Sequence, residues 1–250
     1  MYDVTEICAN TWQIRESSDL CPVFLYLLKG RDRAALIDTG YGSGAIAELA
    51  EHIAGIRPAV YLTHGHFDHI GGAYAFQEVY LAPSDNDCYS HHLAILKAMG
   101  YLPSGAALRA YPKPRPILSG ERIPLGGRDL LVIPTPGHSA GSVSYLDPEN
   151  RMLFTGDTCC LGDVLLNLEY STSVHIFRDS IQKLQRMRSS FDTLWPSHHA
   201  CPLHGDILEK YDAAARLLLN QEAEGDEVDG PEGPCRHLVY QDIGIFYKEL

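Results

Sequence analysis

Four short stretches of this sequence carry groups that could do chemistry. The densest is Thr63-His64-Gly65-His66-Phe67-Asp68-His69, which sets three imidazoles and a carboxylate within six residues. Imidazole and carboxylate are donors that suit zinc, and also iron or manganese. Alternate residues of an extended turn point to one side. His64 and His66 can then serve one metal, while Asp68 and His69, a little further round, serve a second. Crowding four ionisable groups without a cation is costly. The competing explanation is a polar surface loop with incidental histidines.

The other three stretches are weaker singly. They are Pro134-Thr135-Pro136-Gly137-His138-Ser139-Ala140-Gly141-Ser142, then Phe154-Thr155-Gly156-Asp157-Thr158, then Trp195-Pro196-Ser197-His198-His199. A loop histidine or a Gly-Asp turn is ordinary on its own. The prolines and glycines around His138 make a stiff turn, in which a ligand has little entropy to lose. Cys159 and Cys160 follow the Asp157 turn and read as small buried fillers.

Each stretch follows an apolar run that reads as a strand. Short β-rich runs cover Tyr2 to Cys8, Thr11 to Arg15, Pro22 to Lys29 and Ala34 to Asp38. Ala45, Ile46, Leu49, Ala50 and Ile53 fall at helical spacing, which predicts a helix over about 43–54. Pro58 to Leu62 is a buried strand ending at the first histidine cluster. A helix is expected from about Ile70, a strand over Glu78 to Leu81 and a helix over 85–99. Four prolines at 103, 112, 114 and 116 mark an irregular segment. Further strands are expected at Leu130 to Ile133, Ser142 to Leu146, Met152 to Phe154 and Thr193 to Trp195. Phe177, Ile181, Leu184 and Arg188 make one stripe of a helix over Val174 to Arg188, capped from Ser171 to Ser173. Leu208, Tyr211, Ala215 and Leu218 make the apolar face of a last helix. The acidic segment 221–232 reads as a solvated loop, and His237 to Lys248 as one or two closing strands. Alternating strands and helices give an α/β or α+β class. No linker divides the 250 residues, so a single domain is expected, with an insertion at about 86–116 near the site.

Acidic residues outnumber basic ones by 32 to 20, for a net charge of -12. That balance disfavours nucleic-acid binding. No apolar run approaches the ~20 residues of a membrane helix. The start carries Asp3 and Glu6 without an early basic residue, unlike a signal peptide. Seven scattered cysteines, an odd number, fit reduced thiols and a cytoplasmic location.

The four stretches in this order resemble the metallo-β-lactamase-fold hydrolases, over about residues 20 to 200. The resemblance implies an αββα sandwich, two mixed β-sheets flanked by helices, with metal ligands in loops along one edge. It implies His64, His66 and His138 on one metal, Asp68, His69 and His198 on the other, and Asp157 bridging both. Asp157 resembles the dinuclear hydrolases rather than lactamases with cysteine there. Asp38, in Leu36-Ile37-Asp38-Thr39-Gly40, matches a position that orients a metal-binding histidine and fixes its tautomer. The implied cofactors are two zinc ions, with iron or manganese as alternatives. The implied reaction is attack by a metal-bridging hydroxide on a small lactone, thioester, ester or amide, with Asp68 passing the proton to the leaving group. The strand-like end, Ile243 to Lys248, departs from glyoxalase II, which ends in a helical domain. The fold also serves phosphodiesterases and nucleases, mononuclear iron sulfur dioxygenases and, rarely, non-catalytic metal-binding modules. The partner expected is a small molecule, with no nucleic acid and no membrane. The segment 86–116 contains Tyr89, His91, His92, Tyr101, Arg109, Tyr111, Lys113 and Arg115 and is expected to overhang the site.

Overall fold

A computed structural model describes residues 2–42, 44–100 and 111–250. Contacts group the chain into two compact units, Met1–Val132 and Ile133–Leu250.

The first unit is built on a seven-stranded sheet, in sequential order β1 (Tyr2–Cys8), β2 (Thr11–Glu16), β3 (Val23–Lys29), β4 (Ala34–Ile37), β5 (Ala59–Tyr61), β6 (Val79–Leu81) and β7 (Arg115–Pro116). The first four strands pair antiparallel, and β4 to β7 pair parallel. Among the described residues, this unit contains the α-helices α1 (Ile46–Ala54), α2 (Phe67–Ile70) and α3 (Asn86–Ala98). Ile46, Ala47, Ala50 and Ala54 form the buried stripe of α1, and Gly55 ends it in the left-handed conformation. Leu25, Leu27, Leu36, Val60, Leu62 and Leu81 fill the core beneath. Because β4, β5 and β6 are parallel, their carboxyl ends open at one edge, the usual place for ligands in such sheets. That edge receives Asp38 after β4, the His64–His69 loop after β5, and Asp85 after β6. A short strand, β8 (Arg122–Pro124), pairs antiparallel with β9 (Asp129–Pro134), inside which the division between units falls.

In the second unit, β11 (Met152–Gly156) pairs antiparallel with β10 (Val143–Asp147) and parallel with β13 (Thr193–Pro196). Gly156 is registered with Pro196. Asp157 and His198 therefore emerge side by side, and the His138 turn, which leads into antiparallel β10, enters from that same end. A second sheet runs in the order β12 (Asp163–Leu166), β16 (Ile243–Tyr247), β15 (Gly233–Tyr240) and β14 (Asp226–Gly230). Helices α4 (Val174–Arg186) and α5 (Asp206–Leu219) pack on each other. Phe177, Ile181 and Leu184 are the buried stripe of α4. Ser173 caps α4 with a long 3.5 Å contact from the Ile176 N–H. Ser173→Ala should therefore cost about 0.5–1 kcal/mol, the lower range for a lost cap, read as a small fall in the urea midpoint. A loss above about 2 kcal/mol would show that this serine does more than cap.

Several elements differ from the sequence expectation, among them the short strands β7 and β8, which were not expected. Part of the acidic segment 221–232 is not loop: β14 pairs with β15 from Asp226↔His237 to Gly230↔Gly233. An edge strand needs only backbone pairing and tolerates charged side chains facing water. Strand β12 was not expected; its parallel pairing with β16, some eighty residues away, is a tertiary event. Helix α2 starts at Phe67 rather than near Ile70, which puts Asp68 and His69 on its first turns. Within the 86–116 segment, Cys88, Tyr89, His92 and Leu96 of α3 are buried. Tyr111 donates to the Gly71 carbonyl at 2.6 Å, and Tyr101 and Arg109 lie outside the described residues. Among the described residues, no helix is long and apolar enough to cross a membrane.

Candidate metal centre

In the first unit, Asp38 organises the histidine loop. It is fully buried and sits at φ 60, a left-handed conformation costly for a residue with a side chain. One carboxylate oxygen accepts the Thr63 N–H at 2.7 Å. The other accepts the Thr63 hydroxyl at 2.8 Å and lies 2.9 Å from His69 Nδ1. A carboxylate accepts, so His69 carries its proton on Nδ1 and turns the Nε2 lone pair the other way. Nε2 lies 3.7 Å from an Asp68 oxygen.

His64 follows the same logic. The Thr63 hydroxyl gives its proton to Asp38, so it accepts from His64 Nδ1, 3.0 Å away. His64 Nε2 is then the lone pair, and it lies 3.1 Å from His66 Nδ1. Two nitrogens on one tetrahedral zinc, each at about 2.0–2.1 Å, would stand about 3.3 Å apart. The pair fits that requirement closely. His64, His66 and His69 are at most 4% exposed, whereas the Asp68 side chain keeps 15%.

In the second unit, three loops converge on Asp157. His138 Nδ1 donates to the Leu165 carbonyl at 2.9 Å, so its Nε2 is again the lone pair. That Nε2 lies 3.5 Å from Asp157 Oδ2, and His198 Nε2 lies 3.5 Å from the same oxygen. The His138 turn is fastened through its carbonyls. Ser171 donates to His138, Ser180 to Pro136 and Lys183 to Pro134, at 2.8, 2.7 and 2.6 Å. A Cβ on Gly137 would meet the Phe177 ring at 2.8 Å, so glycine lets the turn lie on α4. Beyond Asp157, the Tyr211 hydroxyl lies 3.0 Å from both the Cys160 and Gly162 carbonyls. Burial pushes the Cys159 thiol up to about 12 and raises Cys160 too, so both are neutral fillers rather than thiolate ligands.

His198 and His199 part company. His199 has φ 64, which swings the chain after His198, and its ring lies beside Gly162, as a Cβ there would stand 3.5 Å from the ring. Lost hydration, then the neighbouring His198, lower its pKa, which keeps it neutral at neutral pH. His175 and His204 are on the surface.

The chemistry of these donors suits zinc: neutral imidazoles with Nε2 or Nδ1 lone pairs, carboxylates, and partly exposed Asp68, Asp157 and His198 where a substrate could approach. The profile described as the Metallo-beta-lactamase superfamily matches residues 18–224, including every one of these donors. The chain belongs to the metallo-β-lactamase superfamily. It is a metallo-hydrolase with that superfamily's fold of mixed sheets.

Among known proteins, this metallo-hydrolase is 30% identical over 198 residues to the chicken (Gallus gallus) acyl-coenzyme A thioesterase MBLAC2, covering 70% of this chain and 71% of that protein. It is 36% identical over 138 residues to the hydroxyacylglutathione hydrolase of Anaeromyxobacter dehalogenans, covering 54% of this chain and 45% of that protein. In fold it is similar to the metallo-β-lactamase FIM-1 of Pseudomonas aeruginosa, solved in its mono-zinc form. The TM-score is 0.68 at 15% identity, covering 87% of this chain and 96% of that one.

Two supporting residues escaped the sequence reading. Thr63 was noted only as part of the motif, yet its hydroxyl sets the His64 tautomer. Asp85, fully buried, accepts the Gly65 N–H at 2.7 Å. Its one signal in the sequence is an aspartate shortly after a strand, as at Asp38.

Proposed function

We propose that this hydrolase cleaves acyl thioesters with two zinc ions. His64, His66 and His138 hold one ion, and Asp68, His69 and His198 hold the other. Asp157 is shared between them. The observation that carries the dinuclear reading is Asp157 Oδ2 at 3.5 Å from both His138 and His198, histidines assigned to different ions. The thioester is supported by the two relatives above, whose names both specify thioester-cleaving enzymes.

When bound, zinc supplies a Lewis acid and lowers the pKa of a coordinated water to about 7. The chain's own groups do the rest. Asp38 and Thr63 hold His69 and His64 in the ligating tautomer. The Leu165 carbonyl does so for His138. Asp68, partly exposed, takes the proton released as water adds to the acyl carbon. It returns that proton to the thiolate when the carbon–sulfur bond breaks, leaving a carboxylic acid and a thiol. Cys159 and Cys160, as neutral buried thiols, take no part.

Zinc analysis and a substrate panel on one sample test this reading. About two zinc ions per chain are expected, because seven donors with Asp157 shared would give each ion four protein ligands, and water would then enter by expanding a site to five-coordinate. Acyl-coenzyme A or acyl-glutathione thioesters should release thiol faster than lactones, β-lactams or phosphodiesters are opened. A single iron with oxygen consumption on persulfides would overturn the hydrolase assignment of this site. Two zinc ions with a preferred lactone would overturn only the thioester.

A further inference from the structure

The segment from Thr63 to His66, which leads into α2, belongs to no strand, yet three alternate backbone amides along it and at the helix start have side-chain acceptors. The Thr63 N–H goes to Asp38, the Gly65 N–H to Asp85 at 2.7 Å, and the Phe67 N–H to His92 Nδ1 at 3.1 Å. Residues two apart in extended chain direct their N–H groups to one edge. Side-chain acceptors thus replace a strand ladder, while the intervening residues His64 and His66 carry imidazoles. The two amides flanking His66 are both held from one segment, Asp85 and the helix α3 that follows it. That segment packs tightly on the loop: a Cβ on Gly65 would lie 2.6 Å from the Tyr89 nitrogen. Asp85 is fully buried and His92 is 6% exposed. The His92 ring also lies against His66, with centroids 4.6 Å apart.

We propose that Asp85 and His92 are positioning residues, which hold the backbone on both sides of His66 so that its Nδ1 stays aimed beside His64 Nε2. The idea rests on reading His64 and His66 as ligands of one zinc. The same region has a rival explanation, because donor atoms of His66, Cys88 and His92 all lie within 4.8 Å of one another. A neutral imidazole has one nitrogen lone pair. His92 commits its lone pair, on Nδ1, to the Phe67 N–H, so it enters a metal shell only by breaking that bond. This favours positioning over a third metal site.

The test is zinc affinity by chelator competition in parent, Asp85→Ala, Asp85→Asn, His92→Leu, His92→Gln, Cys88→Ala and His64→Ala proteins, with thermal melting of each metal-free form. Asp85→Ala and His92→Leu should weaken the tighter zinc by about 10- to 100-fold, as loss of a supporting partner does. Asparagine at 85 and glutamine at 92 keep an acceptor oxygen and should recover most of that loss. Excess zinc should restore kcat in the weakened variants with KM unchanged. A role in folding alone would lower the metal-free melting temperature and leave zinc affinity at the parent value, and that result overturns the proposal. Loss of one bound metal in Cys88→Ala would overturn it in favour of the rival site. Slow hydrogen exchange at the Gly65 and Phe67 amides of the metal-free parent supports the proposal without any variant, and fast exchange at both overturns it. His64→Ala separates the premise: full zinc content there would refute the ligand reading itself, whatever the Asp85 and His92 variants do.

Discussion

Asp157→Ala is expected to lower kcat/KM by about 10³-fold or more and to reduce bound zinc from two ions towards one. The magnitude corresponds to losing the several kcal/mol of charge stabilisation that a correctly held metal supplies, at 1.36 kcal/mol per decade. The physical reason is local. Asp157 Oδ2 lies 3.5 Å from both His138 Nε2 and His198 Nε2. Without it, each proposed ion would keep only its own three ligands and the two would share none. His64 and His66 lie in the other unit and keep their geometry, so the first metal should be weakened less than the second. The fold should survive, because the Asp157 side chain is partly exposed and the turn is held by Thr158, whose hydroxyl donates to Thr135 at 2.9 Å. Far-ultraviolet circular dichroism checks the fold, and metal analysis on the same sample checks the stoichiometry. Full activity with both metals retained would show that this turn does not bridge.

The second large effect separates His198 from His199. His198→Ala should weaken the second metal by more than the 10- to 100-fold typical of an outer partner, because it removes a donor atom itself. His199→Ala should leave zinc content at the parent value and alter substrate kinetics at most. The geometry gives the reason. His198 Nε2 reaches Asp157, while the left-handed conformation of His199 turns the next side chain towards Gly162. Glycine accepts that conformation without strain, so His199→Gly should also keep its zinc and hold the turn intact. Chelator competition on the three variants decides the matter. Metal lost from His199→Ala and kept in His198→Ala would mean that the ligand is the second histidine of the pair.

The sequence was most legible where the chemistry is local. His64, His66, Asp68 and His69 fall within one turn, and their spacing alone brings His64 and His66 to one side. The turns at His138, Asp157 and His198 could be placed at strand ends because apolar runs stop there. Helices α4 and α5 were readable from their stripes, since a 3.6-residue period survives in the sequence. The acidic segment misled because composition reports what side chains prefer, whereas β14 is decided by which backbone edge lies next to it.

By itself, then, the sequence determined the superfamily and the order of the His and Asp stretches along the chain, because these depend on residue type and short spacing. Tertiary structure decided what those donors face. Asp38 lies 31 residues from His69 and reaches it only because β4 and β5 run parallel side by side. The Leu165 carbonyl sets the tautomer of His138 across 27 residues, by way of a strand the sequence did not announce. Asp85 and His92 lie 20 and 25 residues from the amides they hold. Such partners are a carboxylate, a carbonyl and an imidazole of unremarkable type. Only the sheet order and the seat of a helix select them from many chemical equivalents.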